Sequence, residues 1–382
     1  MSTYQFTVEN EAFSFDSAFL ESDSFVVRSV PRDYRVLLPQ TDHPAELIQR
    51  MMDENPKNLL LIDQNVWNLY LADSHIDEKR VMFVQANEEF KTLHNGVEQA
   101  LGFLEKNGFG KGETLVVVGG GVTEDIGAFV GAVYKRGIAW RFFPTTLLSM
   151  CDSCIGGKTG INYHKAKNQL ALFSAPREVI ICPAFLRTLH AREIKSGLGE
   201  ILKLFITGGP ELLARFSKYV SADGEVNNFE SFRYLILGAL GVKKQIVEKD
   251  EFELNLRKSL NYGHTLGHAI EVLSDYAIPH GQAVTMGVLV VNEMSRRRGL
   301  LSQQDCDAIR RLARNLFQTA RLSKNIVNEL PSLLLKDKKS IGNAVNFVFI
   351  KKPGETVFVK LDVNETLIQE LLTCMHGEFD VI

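Results

Sequence analysis

Over the first half of the chain, short unbroken apolar runs alternate with stretches of helical periodicity. The runs in NLLLID, which ends at Asp63, in RVMFVQA and in TLVVVGGG have the length and composition of strands buried on both faces. Between the last two, TLHNGVEQALGFLEKNGF repeats its apolar positions at helical spacing and closes on a glycine, which predicts an amphipathic helix. Strands that alternate with helices imply a parallel sheet, because a parallel neighbour is reached only through a crossover. Upstream, YQFTV and SFVVRSV alternate with the two-residue period of half-buried strands, so residues 1–55 are expected to form edge strands or a hairpin. From about residue 184 the texture changes to long helical periodicities in SGLGEILKLFI, FRYLILGALGVKKQIVEK and AVTMGVLVVNEMSRRRG, with few strand candidates before AVNFVFI and ETVFVKL. The pattern therefore predicts an α/β domain over residues 1–184 and an all-α domain over residues 185–382.

Composition narrows the partners more than the fold. With 382 residues, 45% of them hydrophobic, the chain has material for two packed cores. A formal net charge of -3 gives no reason to expect nucleic acid or an anionic membrane, so an anionic substrate must be held by local charge. Five cysteines, odd in number and scattered, do not make a disulfide framework and point to a reducing cytoplasm. The first residues lack a basic stretch followed by an apolar one, and no apolar run approaches the length of a membrane span.

Three stretches carry candidate chemistry. In VVVGGGVTEDIG, Gly119, Gly120 and Gly121 separate a buried strand from a helix, so backbone N–H groups at the helix start can close on a diphosphate; a plain glycine turn fits the same letters. In PTTLLSMCDSCIGGKTGINYHKAKNQLALF, Asp152, Lys158, Asn162, Lys167 and Asn168 crowd a glycine-containing loop, which suits a phosphate or a polyhydroxylated anion as well as plain solvation. Cys151 and Cys154 in that loop have redox-pair spacing, but with no second pair the spacing reads as coincidence. The third candidate joins SGLGEILKLF, where Glu200 and Lys203 share a helix face, to NYGHTLGHAIEV and AIPHGQAV. His264 and His268 stand four apart on a predicted helix, and Pro279 starts a new helix that can aim His280 back at them. Two such histidines can grip one metal, or one can be a ligand and the other a substrate donor. Three histidines on apolar helix faces need partners in either case.

In combination, GGGVTED, PTTLLSMCDSCIGGKTGIN with KN, SGLGEILK, RKSLNYGHTLGHAIE and PHGQAV resemble the dehydroquinate synthase family of sugar-phosphate cyclases, in order and with family-like spacing from about residue 60 to KDKK near residue 338. The resemblance implies a Rossmann-like NAD-binding domain followed by a helical metal- and substrate-binding domain. It implies that Glu200, His264 and His280 bind a divalent metal, zinc or cobalt, and that His268 faces the substrate. Gly119, Gly120, Gly121 and Asp125 correspond to the NAD diphosphate loop, with Asp63, Asn65, Glu88, Lys91, Thr145, Thr146, Asp152, Lys158 and Lys167 completing the NAD set. Asp152, Lys158, Asn168, Lys203, Lys243, Arg257, Asn261 and His268 match the substrate positions, and one of Lys338 and Lys339 a further phosphate contact. Arg136, in YKRG, resembles an arginine that reaches into the neighbouring subunit's site, which implies a homodimer.

The implied reaction uses a metal to acidify a coordinated hydroxyl, passes hydride to NAD, eliminates phosphate, takes the hydride back, opens the pyranose and closes a carbocycle by an aldol step. No net oxidation occurs. Arg257, Lys243 and Asn261 suit a carboxylate, which relatives acting on sedoheptulose 7-phosphate or glucose 6-phosphate do not need to bind. The expected reaction is therefore 3-deoxy-D-arabino-heptulosonate 7-phosphate to 3-dehydroquinate, a step of the shikimate pathway. The rivals are a cyclase of secondary metabolism acting on an altered analogue, a metal-dependent alcohol dehydrogenase of the glycerol dehydrogenase type, and a non-catalytic paralogue. Departures from the family pattern occur in NQLALFSAP, NEEFKT and SMCDSC and in the long N-terminal extension.

Overall fold

The computed structural model describes residues 2–164, 166–317, 321–330, 333 and 344–381. The chain divides into two compact units, Glu21–Leu189 and the combination of Met1–Leu20 with His190–Ile382. The expected order, an α/β domain and then a helical one, is what the structure shows, with a correction to the all-α expectation: the helical unit also carries a four-stranded sheet and a two-stranded one. Among the described residues no helix is long and apolar enough to cross a membrane.

The chain opens with β1 (Thr3–Val8) and β2 (Glu11–Asp16), an antiparallel hairpin whose apolar positions alternate as the sequence pattern requires. The sheet unit follows with β3 (Ser24–Val27), β4 (Tyr34–Leu37), α1 (Pro44–Asp53), β5 (Leu59–Asp63), α2 (Gln64–Tyr70), β6 (Val81–Val84), α3 (Glu98–Lys106), β7 (Thr114–Gly119), α4 (Gly121–Val133), β8 (Ala139–Pro144), β9 (Lys158–Tyr163), β10 (Ala166–Phe173) and β11 (Glu178–Ile180). Seven of these strands form one sheet in the order β3-β4-β11-β8-β7-β5-β6, parallel throughout except for the edge pair β3 and β4. β5 and β7 are buried along their whole length, which explains their unbroken apolar sequences. β9 and β10 form a separate antiparallel hairpin.

The helical unit contains α5 (Ala191–Gly208), α6 (Pro210–Tyr219), α7 (Ser231–Lys249), α8 (His264–Leu273), α9 (His280–Arg297), α10 (Gln303–Ala313), β12 (Arg321–Leu322), β13 (Ala344–Lys352), β14 (Glu355–Asp362), a final helix Glu365–Glu378 and β15 (Asp380–Val381). Its larger sheet has the order β13-β14-β1-β2. The sequence reading groups residues 1–184 together, but β1 lies parallel to β14 through Thr7 opposite Glu355 and Val8 opposite Thr356, and Thr7 N donates to Gly354 O at 2.8 Å. The first twenty residues thus find their partner strand more than three hundred positions away.

Three helices of this unit approach so closely that side chains are excluded from the seam. A Cβ on Gly281 of α9 would lie 1.9 Å from Ser196 O of α5, and one on Gly199 of α5 would lie 2.3 Å from Gly281 O. Along the other side of α9, a Cβ on Gly287 would lie 2.1 Å from Gly263 O at the start of α8. Ser196 Oγ accepts from Gly281 N at 3.0 Å and so caps an otherwise orphaned donor in the first turn of α9. Gly281→Ala is expected to push α9 away from α5 and to destabilise the protein by about 1–3 kcal/mol. Gly377→Ala, at a helical position where a Cβ meets nothing within 4 Å, should change stability by less than about 1 kcal/mol and toward greater stability. Urea denaturation of the two variants checks this; equal midpoints would mean the seam tolerates a side chain.

Candidate functional site

In the helical unit the seam gathers three candidate ligands. Glu200 lies on α5 directly after Gly199 and is completely buried, with Oε2 2.5 Å from Lys203 Nζ one turn further on. Its other oxygen, Oε1, faces His264 Nε2 at 3.7 Å and His280 Nε2 at 3.6 Å. His264 opens α8, and Gly263 before it adopts a left-handed φ of 78° that lets the chain turn into the helix. His280 opens α9 immediately after Pro279. The rings of His264, His268 and His280 lie with centroids 5.1–5.4 Å apart, and one nitrogen from each can be chosen within 4.8 Å of the others. His268 is the exposed member of the three.

This donor set fits a divalent cation. Bonds of about 2.0–2.1 Å in a tetrahedral site would place ligand atoms about 3.4 Å apart, close to the separations around Glu200 Oε1. Each imidazole is also oriented from behind. His264 Nδ1 lies 3.3 Å from Tyr262 O, and His280 Nδ1 lies 3.0 Å from Glu271 Oε2, so both Nε2 atoms turn toward the same carboxylate oxygen. Burial lowers the His280 pKa, but the hydrogen bond to Glu271 and the charges of Glu200 and Glu271 outweigh it and leave the imidazole above its ordinary value, against the opposing charge of Lys203.

Next to the histidines is a cavity of about 660 Å³ whose polar lining includes Glu253, Asn255, Lys258, Asn261 and His268. Asn261 Nδ2 donates to Glu253 Oε1 at 2.8 Å. Arg257 is buried, and its guanidinium donates to Glu251 O while its backbone N–H donates to Asp250 Oδ2 at 3.0 Å. Lys243 is buried on α7.

In the sheet unit the candidates collect at the carboxyl ends of the strands. Reading from β6, the order is β6-β5-β7-β8-β11, so the chain reverses direction across the sheet between β5 and β7, and crevices at such reversals take ligands. Asp63 ends β5, Gly119 ends β7, and Thr145 follows β8. Thr145 N donates to Gly119 O at 2.9 Å, and Thr146 bonds Ser149 through both of its ends. Gly120 is the N-cap of α4, and a Cβ on Gly121 would meet no protein atom within 4 Å, so the first turn of the helix is open to a ligand. Asp63 caps α2 by accepting from Asn65 N at 2.8 Å; burial raises its pKa, partly offset by these hydrogen bonds.

Beside the loop, Lys91 Nζ bonds Asp125 Oδ2 and Asn168 Oδ1, both at 2.9 Å, and lies 3.7 Å from Glu88. Glu88 in turn lies 3.8 Å from Lys167 and accepts from Asn162 Nδ2 at 2.7 Å. Burial raises the Asp125 pKa against the pull of Lys91. Asp152 sits in the short helical turn Ser149–Ser153, and Lys158 is exposed at the start of β9. Cys151 and Cys154 are buried thiols, not joined in a disulfide, that donate to Leu148 O and Met150 O. Arg136 is exposed in a turn where Lys135, Arg136 and Gly137 all have left-handed φ. Lys338 and Lys339 lie outside the described residues.

Sequence reading passed over Glu253 and Glu271, and it named Asn162 without a role. Glu271 follows His264 by seven and His268 by three, a helical spacing that places all three on one face and was a signal available in the letters. Glu253 had no such signal, because it reaches Asn261 from a loop.

Residues 81–196 match the family described as 3-dehydroquinate synthase N-terminal, and residues 197–340 the one described as 3-dehydroquinate synthase C-terminal. A 3-dehydroquinate synthase from Campylobacter concisus is 36% identical over 299 residues, which cover 78% of this chain and 84% of the relative. Among solved structures, 2-deoxy-scyllo-inosose synthase complexed with carbaglucose-6-phosphate, NAD+ and Co2+ aligns with a TM-score of 0.75 at 20% identity, covering 91% of this chain and 99% of that one. The 2-epi-5-epi-valiolone synthase from Streptomyces hygroscopicus with NAD+ and Zn2+ bound aligns with a TM-score of 0.73 at 24% identity, covering 90% and 97%. The chain belongs to the 3-dehydroquinate synthase family and is an enzyme of the sugar-phosphate cyclase type.

Proposed function

We propose that this protein is a phosphate-eliminating lyase that cyclises 3-deoxy-D-arabino-heptulosonate 7-phosphate to 3-dehydroquinate, with NAD and a divalent metal as cofactors. The observation that carries the reading is the convergence of His264 Nε2 and His280 Nε2 on Glu200 Oε1 in a chain of this family. The named structural neighbours bind NAD+ with Co2+ or Zn2+, and the donor set here suits either ion. When bound, the metal supplies Lewis acidity to a substrate hydroxyl, and NAD takes up a hydride and later returns it.

The chain's own residues do the rest. Glu200, His264 and His280 hold the ion, and Lys203 fixes the second oxygen of Glu200 so that the first stays aimed at the histidines. His268, exposed beside the cavity, is placed to hold or move a proton at the substrate. Asn261, Lys243 and Arg257 serve the carboxylate, and Asp152, Lys158 and Asn168 the remaining polar groups. In the sheet unit the N–H groups at Gly119–Gly121 take the NAD diphosphate. Asp63, Asn65, Glu88, Lys91, Asp125, Thr145, Thr146 and Lys167 position the remainder of that cofactor, Asp152 and Lys158 sharing in it.

Purified protein supplied with zinc and NAD should release phosphate from the heptulosonate phosphate and not from sedoheptulose 7-phosphate or glucose 6-phosphate, with no lasting absorbance at 340 nm. Arg257→Ala should raise KM for the acid while zinc remains bound. Turnover of a neutral sugar but not of the acid would sink the substrate assignment, and lasting NADH would favour a dehydrogenase. Gly121→Val should leave thermal stability nearly unchanged, since its side chain points into open space, yet weaken NAD binding at least tenfold in a fluorescence titration. Unchanged affinity would remove the cofactor from this helix start. We also infer that Arg136 completes the site of a second copy: two inactive variants, Arg136→Ala and His264→Ala, should regain part of the activity when mixed, and no regain would exclude that role.

A further inference from the structure

We propose that Glu271 is the positioning residue of the candidate metal centre: it holds His280 by Nδ1 so that Nε2 presents its lone pair to the point that Glu200 and His264 also face. The proposal rests on the metal-binding reading above. It starts from the Glu271 Oε2 to His280 Nδ1 separation of 3.0 Å on one edge of the ring and the 3.6 Å from Nε2 to Glu200 Oε1 on the other. An ionised carboxylate only accepts, so Nδ1 is the donor, and in the neutral ring that ligates a metal the lone pair is left on Nε2.

His280 needs such a tether more than His264 does. It is the first residue of α9, its side chain is 32% exposed against 13% for His264, and an untethered ring there can turn toward water. His264 is oriented by the backbone carbonyl of Tyr262, which no side-chain substitution removes. For His280 the same task falls to a side chain, and that makes the arrangement testable.

The backbone holds Glu271 and His280 in register. Ser274 Oγ and Tyr276 N donate to Glu271 O at 2.9 and 3.0 Å, and Asp275 and Tyr276 both take left-handed φ, so the chain leaves α8 in a tight turn that begins at Glu271. Arg192 of α5 donates to Ala277 O at 2.9 Å and ties the turn to the helix that carries Glu200. Glu271 lies on the same face of α8 as His264, so one helix supplies a ligand and also the clamp for its neighbour. A carboxylate behind a ligating imidazole fixes its orientation and raises its basicity.

The test uses metal-free full-length protein titrated with Co2+, read by the d–d absorption band and by competition with a chelator. Glu271→Ala should bind Co2+ about 10–100-fold more weakly and with an altered band, as loss of such a partner does elsewhere. Glu271→Gln, which keeps an acceptor for Nδ1 but not the charge, should fall between Glu271→Ala and the parent, a partial rescue that a purely structural role would not require. His280→Ala, measured alongside, should lose nearly all binding. If His280→Ala loses binding and Glu271→Ala matches the parent in affinity and band, the proposal is overturned while the metal reading stands. If the parent does not bind Co2+, or His280→Ala binds equally well, both fall together. Should Glu271→Ala fail to fold, Glu271→Gln decides alone, and an unaltered affinity and band would overturn the proposal.

Discussion

The closeness of α5, α8 and α9 is the constraint from which the helical unit's chemistry follows. Glu200 follows Gly199, His264 follows Gly263, His268 follows Gly267, and His280 precedes Gly281, so each candidate ligand or donor neighbours the residue that lets its helix approach the next. A side chain at the seam would separate the helices and draw Glu200 Oε1 away from the two imidazoles, whose spacing allows little slack. The buried carboxylate is tolerable because Lys203 takes one oxygen and imidazoles face the other; a carboxylate so placed without partners would incur a large desolvation penalty. The packing and the candidate site are therefore one device, and the glycines set the spacing of its donors without being among them.

On the proposed reading the sheet unit has a different problem, that of holding a polyanion in a chain with little net charge. It does so with backbone: the strand-to-helix turn at Gly119–Gly121 leaves N–H groups open at the start of α4. The charged side chains beside it are already committed to one another. Lys91 links Asp125 to Asn168, and Glu88 is joined by Lys167 and Asn162, so the hairpin β9–β10 and α4 are cross-tied through groups that sequence reading assigns to ligands. A network formed in advance loses less freedom when a cofactor arrives, which is the physical advantage of building it from interlocked charges.

Much of this was legible in the letters because the signals are local. The buried strands β5 and β7, the glycine turn after β7 and the histidines four apart on α8 all follow from short-range patterns, and Pro279 marks the start of α9. What escaped the letters depends on distant partners. YQFTV reads as an edge strand, but nothing in it names β14 as its neighbour. Pro279 announces α9, but nothing before it announces the left-handed Asp275 and Tyr276, which bring Glu271 back to His280 and are not residue types that demand such a conformation. Glu253 was invisible for the same reason, since its contact with Asn261 is made by a loop with a left-handed φ of its own.

The fold by itself does not decide between a cyclase and a dehydrogenase, since one fold can host unrelated activities. The decision comes from the family match over residues 81–340. Lys203, Lys243 and Arg257 are buried to 2, 6 and 2% exposure within the helical unit, where burial of a cation requires partners such as Glu200 for Lys203 and the Glu251 carbonyl for Arg257. A small alcohol offers a hydroxyl and a hydride but no charge for such side chains to meet. A phosphorylated sugar acid brings a phosphate dianion and a carboxylate, and it loses the phosphate in the reaction. On the proposed reading Lys243 and Arg257 meet the substrate's anions, and the phosphate leaves before the pyranose opens and the carbocycle closes. The polar lining at Asn261, Glu253 and His268 adds both donors and acceptors, which a polyhydroxylated acid can satisfy together.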